Sequence, residues 1–513
     1  MSEHQYPEQQ NPGRAYQDDD PEVVDWQPVS EPGAQQRGAG LLAVVAGIAI
    51  LLGGGSLLQP ALADPPPAQQ PVIGRTNVVC PAAPTGDDVR SVVQAVANKQ
   101  KNDQPGTLSG TPVGADKPAF QVTDPGKGVT KAAPKDTLIV TGERGLATAS
   151  SAGTLTNGSA GVNSGLLGAS CSKPAASHFF AGIGAEKDFR TELVITNPDE
   201  TPAQVDVTFL GSKGSVPVPG GPGIEIPGLQ SRVIALDTMV TVKGALSAQL
   251  VASRGRVAVM ARDYRSKGDE PRGADWHASS AAPANQVIIP GVPDGSGGRK
   301  LVVANPGTVP AHVEIAGLGL QGEFVPAGGD QIDVPAQSTA LLELGPGLVE
   351  QAGAVKLTSD QPVTGAIRSD APSAGETGDK LVPDFAVQPA ALPLREVGVL
   401  PFVGESGIES QLVLSHLGEG KVDVIIEVVS MAGVTVKLEK VQVAAASTLV
   451  RQLSSPLPAY VVIRTPENSG VYAGLVQRRT SNTDVFGITT LAVSSPDVAD
   501  RVQPASYDPW TAR

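Results

Sequence analysis

From residue 77 onward, apolar side chains recur at alternate positions in short runs, and Asn-Pro, Gly or Pro interrupts each run. A period of two sends successive side chains to opposite faces of an extended strand, so the runs predict half-buried strands. Between His178 and Arg262 the pattern predicts seven, at 178–182, 191–197, 203–210, 223–227, 231–236, 245–252 and 256–264. Seven short strands in about a hundred residues fit a two-sheet sandwich of immunoglobulin-like size.

The pattern then repeats. Thr191-Glu-Leu-Val-Ile-Thr-Asn-Pro runs into Ala203-Gln-Val-Asp-Val, and the same phrase returns as Lys300-Leu-Val-Val-Ala-Asn-Pro followed by Ala311-His-Val-Glu-Ile. Asn197 to Asn305, Pro227 to Pro335 and Gly211 to Gly319 are each 108 positions apart. Asn305 to His416 and Gly322 to Gly433 are each 111 apart, which marks a third copy. The closing runs also match, ending in Arg262, Arg368 and Arg478. A long, nearly fixed period means repeated structural units.

A divergent copy precedes these. Asn77-Val-Val-Cys-Pro resembles the opening runs Val287-Ile-Ile-Pro and Val399-Leu-Pro-Phe, and Leu166-Leu-Gly-Ala-Ser-Cys171 falls where a closing strand belongs. Within it, Val89, Val92, Val93 and Val96 have helical spacing behind Asp88, so a short helix or a strand fits there.

Composition supports the same class. Glycine (59) and proline (45) make up 104 of 513 residues and aromatics only 4%, which suits many short strands joined by tight turns. The net charge of −14 argues against a nucleic-acid partner. Residues 1–39 are polar, with Asp18-Asp19-Asp20, and too poor in apolar surface to fold. Gly40 to Leu58 is 19 uncharged residues, about one bilayer crossing. Arg37 before it, with no further basic residue until Arg75, places the N-terminus in the cytoplasm. Ala61-Leu-Ala63 also has the small-x-small form of a cleavage site, so an uncleaved anchor and a removed leader are both readings. Either exports the remainder.

Cys80 and Cys171 both follow the apolar segment, and an even count outside the cytosol favours a disulfide over two free thiols. The bridge would tie the first strand of the divergent module to its last. The organisation expected is therefore a disordered tail (1–39), a transmembrane anchor (40–59), a Pro-rich spacer (60–76), a disulfide-stapled module (77–175), three β modules (176–283, 284–395, 396–495) and a tail (496–513). The fold class expected is all-β, as tandem immunoglobulin-like sandwiches. The alternative is a β-propeller with two blades per repeat.

These residues carry a resemblance. Cys80-Pro81, a second cysteine shortly before Phe179-Phe180, and the Leu-Val-x-x-Asn-Pro hairpins stand beside an acidic tail and a single apolar segment. Together they resemble an actinobacterial family of membrane-anchored exported proteins of unknown function. The resemblance implies repeated β-rich modules outside the membrane and implies no activity.

Catalytic and cofactor motifs do not emerge. Gly317-Leu-Gly-Leu-Gln-Gly322 is a dinucleotide fingerprint in form, but Gly319 and Gly322 align with Gly211 and Gly214 in a turn between strands, where no helix follows. None of His4, His178, His277, His312 and His416 has a second histidine at metal-ligand spacing. The stretch from Arg262 to His277 is the exception, longer than its counterparts and bearing both charges and two aromatics. Arg262, Tyr264, Arg265, Trp276 and His277 are the candidate contact residues for a protein or glycan partner, against the plainer reading of a linker between modules. The expected function is a non-enzymatic envelope protein with no cofactor or metal, held at the membrane. The alternative is a carbohydrate-active or envelope-polymer-processing enzyme, which needs only two facing carboxyl groups.

Overall fold

The strand Phe189–Asn197 shows how the alternation becomes structure. Leu193 and Ile195 turn into the core of their own module, while Val194 on the opposite face packs with Leu167, Met260 and Trp276. That second face is covered where Val194 sits, so an apolar residue stands there, while Arg190 and Glu192 beside it stay polar and less buried.

In a computed structural model, residues 73–493 and 495 are described, apart from 87, 100–103, 149, 349–350, 372–381 and 481–485. The expected tail, the apolar segment 40–59, the spacer as far as residue 72 and residues beyond 495 lie outside the described residues. Among the described residues there is no α-helix, and no helix is long and apolar enough to cross a membrane.

Each repeat is built on two antiparallel sheets of four strands, to which the second and third copies add short extra strands. In the repeat that begins at Ser177, one sheet runs Gly214–Val216, Ala203–Gly211, Leu246–Arg254, Ser177–Ile183, and the expected strand at 223–227 is present as Ile224–Ile226, also paired to Ala203–Gly211. The other runs Gln230–Ala235, Phe189–Asn197, Ala258–Lys267, Glu270–Ala278. Phe180, Val207, Phe209 and Leu250 from the first sheet meet Leu193, Ile195, Ile234 and Val259 from the second in one buried cluster. The same order occurs at 75–170, 284–389 and 397–492. In the third repeat a single 18-residue strand, Gly353–Asp370, serves both sheets in turn.

Two expectations are corrected, the strand count and the immunoglobulin-like order, and two open alternatives are closed. The repeat has eight strands, the eighth being Gly165–Ser170, Glu270–Ala278, Phe385–Pro389 or Ile488–Ala492 in the successive copies. The strand order is not that of an immunoglobulin domain, where first and second strands share a sheet; here the first pairs with the sixth and the second with the seventh. Residues 89–96 are not a helix but part of the strand Val89–Ala97, whose inner half is buried on both faces and so imitates a helical spacing. No propeller forms either: the strands of each repeat make two sheets that face each other across buried side chains.

The four modules form a closed cycle. The eighth strands of the first and second, second and third, third and fourth, and fourth and first modules are neighbours. Thr339 Oγ1 donates to the Leu210 carbonyl at 2.9 Å, and one repeat later Thr448 Oγ1 donates to Leu318 at 2.7 Å. Between the last module and the first, the buried Gln94 accepts from the Phe402 N–H, Ser151 Oγ donates to the Val399 carbonyl and Tyr460 Oη donates to Gly126. Cys80 and Cys171 are bonded, joining the end of the first strand of the first module to the residue after its eighth.

Two carboxyl groups tie the centre. Asp275 Oδ1 accepts from the Gly168 N–H of the first module, from Thr489 Oγ1 of the fourth and from the Trp276 N–H, while Oδ2 accepts from the Val387 N–H of the third. Asp384 Oδ2 accepts at 2.9 Å from both Leu166 N and Ile488 N. Gly165 and Gly273 are required beside it: both have positive φ, and a Cβ on either would come within 2.5 Å of Asp384 Oδ1. Burial raises both carboxyls, Asp384 to about 8 and Asp275 well above the carboxylate range, the latter also through the charge of Asp384.

The Asn-Pro phrase is explained at the module ends. Asn305, fully buried, donates Nδ2 to the carbonyls of Val309, Val334 and Pro335 and accepts the Gly307 N–H on Oδ1. Asn197 does the same with Thr201, Ile226 and the Asp199 N–H. His416 takes this place in the last module, Nδ1 facing the Ala444 carbonyl at 3.3 Å.

Two outcomes follow. Asn305→Ala leaves several buried main-chain groups without a partner and costs about 2–4 kcal/mol, read as a lower urea midpoint. For Asp384, the unfolded carboxyl ionises near its ordinary 3.8 and the folded one near 8. Below that window both states hold the proton; through it the folded state binds more protons, so stability falls as pH rises. Asp384→Asn keeps an acceptor for Leu166 and Ile488 without the charge. Its unfolding temperature relative to the native protein rises by a few degrees between pH 5 and pH 8.5, measured by calorimetry.

Candidate functional site

The stretch 262–277 is not a loop. It is the hairpin of strands Ala258–Lys267 and Glu270–Ala278, and its register places Arg262 opposite Trp276 and Ala261 opposite His277. Alternation therefore separates the five candidate residues instead of gathering them.

Arg262, Tyr264 and Trp276 share one face. The Arg262 guanidinium lies 4.9 Å from the Tyr264 ring centre and 5.3 Å from that of Trp276, and its Nη2 donates to Glu192 Oε2 at 2.6 Å. Tyr264 Oη donates to the same carboxylate oxygen at 3.1 Å. Burial pushes the Tyr264 hydroxyl above its ordinary range. Trp276 is buried against Leu167 and Ala169 of the first module. His277 faces the other way, fully buried, its ring edge-on to Phe180 at 5.6 Å. Its Nδ1 is 3.5 Å from Asp263 Oδ2, and Asp263 Oδ1 accepts from Thr191 Oγ1 at 2.5 Å. Thr, Asp and His thus come together, but the hydroxyl bonds to the carboxylate and not the imidazole, inside a sealed core; this is a packing element. The expectation of exposed aromatics holds for neither Trp276 nor His277. Trp276 packs where two modules meet, and His277 lies inside its own module beside Phe180 and Asp263.

Arg265 is placed differently. The register between the two hairpin strands shifts between Tyr264 and Ser266, and such a bulge re-aims the extra side chain. Arg265 reaches the third module, where Nη1 donates to Asp370 Oδ1 at 2.8 Å and the guanidinium stands 5.8 Å from the Phe385 ring centre. It lines a cleft of about 480 Å³ between the second and third modules. From the third module come Lys300, Val302 and Arg368; from the second, Glu186, Phe189 and Arg272. Arg368 lies over the Phe189 ring at 5.2 Å. Burial, followed by the nearby charge of Arg368, lowers the proton affinity of Arg265. Of the five candidates only Arg265 belongs to this cleft. Arg368 and Lys300 were not singled out by the pattern, although Arg368 is one of the three arginines that close the seventh strand of successive repeats.

Among the described residues no group of three or more His, Cys, Asp or Glu side chains is arranged to hold a metal ion. The remaining histidines have local roles. His178 is buried with Nε2 at 2.8 Å from the Val257 carbonyl, and His312 is exposed beside Asp333. Gly317–Gly322 is a strand end and hairpin, with Gly319 paired to Gly322, so no dinucleotide site forms there. His4 lies outside the described residues.

Trp276→Ala is expected to cost about 3–5 kcal/mol in equilibrium unfolding, because the side chain fills a joint between modules. A residue kept only for an outside partner would leave the unfolding midpoint where it is.

No curated protein sequence matches the chain. A family model does match, over residues 122–454, well over half of the sequence and spanning parts of all four modules. The chain belongs to this family, DUF5719, a family of unknown function.

Proposed function

We propose that this protein is a membrane-anchored binding platform of the cell envelope, which holds a protein or glycan partner outside the membrane and performs no chemistry of its own. The apolar segment 40–59 would be its anchor, and the resemblance to actinobacterial exported proteins supports that placement. The carboxyl groups with the most displaced proton affinities, Asp275 and Asp384, are sealed at the centre and committed to main-chain N–H groups, which suits a scaffold. A hydrolytic pair would face substrate in an open groove.

The observation that carries the reading is the cleft between the second and third modules. Its walls come from two modules whose relative position is tied by hydrogen bonds and shared apolar packing, so its shape is set before anything binds. Such preorganisation lowers the entropic cost of binding.

Leu341, exposed and at the cleft, reports on occupancy. A photo-cross-linking residue placed there in the full chain, in intact cells, is expected to capture a discrete protein or glycan. The same residue at Val325, an exposed position that does not line the cleft, serves as control. Identical capture from both positions, or none from Leu341, rejects the platform reading.

A further inference from the structure

The charge of the cleft runs against that of the chain. Arg265, Lys267, Arg272, Lys300 and Arg368 line it against only Glu186 and Asp188, in a protein of net charge −14. Glu186 is already engaged, its Oε1 accepting the Gly244 N–H at 2.7 Å. At the rim, Lys300 pairs with Glu343 at 2.8 Å and Arg272 with Glu270 at 3.3 Å, but both acids are largely exposed and such pairs are weak. Deeper in, one carboxylate serves two guanidinium groups. Asp370 Oδ1 lies 2.8 Å from Arg265 Nη1 and 3.4 Å from Arg368 Nε. The buried Nε–H of Arg265 has no hydrogen-bond acceptor among the described residues, and that of Arg368 has Asp370 near it but outside hydrogen-bond geometry. A buried donor without an acceptor is costly, and a charged one more so.

The next joint in the cycle shows what is missing. Arg478, the counterpart of Arg368 one repeat later, is met by the carboxylate of Asp294 from the preceding module. The residue 108 positions before Asp294 is Glu186, which lies beside the cleft yet binds Gly244 instead. One joint therefore gives its arginine a carboxylate from the preceding module, while at the other two guanidinium groups share Asp370 beside the cleft.

We propose that this cleft binds a small anionic sugar, with Arg265 and Arg368 holding its phosphate or carboxylate group and the wall formed by Phe189, Val302 and Ala366 receiving its body. The assignment rests on the binding-platform reading and names the ligand class for the same site. Guanidinium groups present parallel N–H donors that match either anion. Aromatic stacking on Phe189 and Phe385 holds the two arginines in place without neutralising them. A volume of about 480 Å³ is in the range of small-molecule clefts. An anion bridging Arg265 and Arg368 would also relieve the repulsion between them.

The test is calorimetric titration of the detergent-solubilised full chain with glucose 1-phosphate, glucuronate and glucose. Saturable binding of at least one charged sugar is expected, with glucose weaker by about tenfold or more. Preference between the two anions tells a phosphate ester from a carboxylate as the natural group. Arg368→Gln is expected to lose about tenfold or more in affinity, and Arg272→Ala, at the exposed rim, about two- to threefold. The rim variant keeps the test valid if Arg368→Gln fails to fold. Binding of neither anion, glucose binding as tightly as both, or a folded Arg368→Gln and an Arg272→Ala that bind like the native protein would each overturn the assignment. The platform reading stands or falls separately, on cross-linking at Leu341.

Discussion

The carboxyl group of Asp275 is shared by all four modules. It is carried by the second and accepts hydrogen bonds from a main-chain N–H of the first, a main-chain N–H of the third and a hydroxyl of the fourth. Asp384 repeats the device from the third module toward the first and fourth. Four sandwiches have no need to meet at one point, and apolar packing, such as that of Leu155 and Leu166 of the first module on the core of the fourth, tolerates sliding. Buried polar groups do not, because each must find its partner or bear the desolvation cost. We read the two carboxyls as devices that specify one arrangement of the modules more than they stabilise it, in line with the raised proton affinities that burial imposes.

That constraint reaches outward. The eighth strands approach closely enough at the centre that Gly168 has no room for a Cβ beside Thr489, and Gly165 and Gly273 none beside Asp384. Once these strands meet, the last module must lie against the first, where Gln94, Ser151 and Tyr460 make the closing hydrogen bonds. The Cys80–Cys171 disulfide holds both ends of the first module together at the same joint in the fold where the second module begins. The cycle then sets the distance between Arg265 and Arg368, which come from different modules and would not be neighbours in a flexible string.

Much of the fold is legible from spacing. The alternation finds seven strands per repeat, because those strands keep at least one face on their own module's core. The recurring asparagines mark where a buried side-chain amide fastens a turn to the facing sheet, and the glycine pair at Gly319 and Gly322 reads correctly as a hairpin. The eighth strand is missed. Glu270–Ala278 carries Gly273, Asp275 and His277 among small residues and so lacks a period of two, because the centre of the cycle wants small and polar side chains there. The same strand makes 262–277 look like an aromatic loop open to solvent, when Trp276 in fact fills a joint against the first module. The helical spacing of Val89 to Val96 misleads for a related reason: a strand covered on both faces has no polar side to set its period.

By itself the sequence determined that the repeats are all-β, that they recur with a period near 108, and which residues turn inward within each module. These are local properties, settled by periodicity, turn chemistry and the length of a strand. Only the tertiary structure decided that the modules close into a cycle, that Asp275 and Asp384 join them, and that Arg265 shares a cleft with Arg368. Those relations join residues about a hundred positions or more apart through single hydrogen bonds and charges, and such pairings leave no periodic trace along a chain.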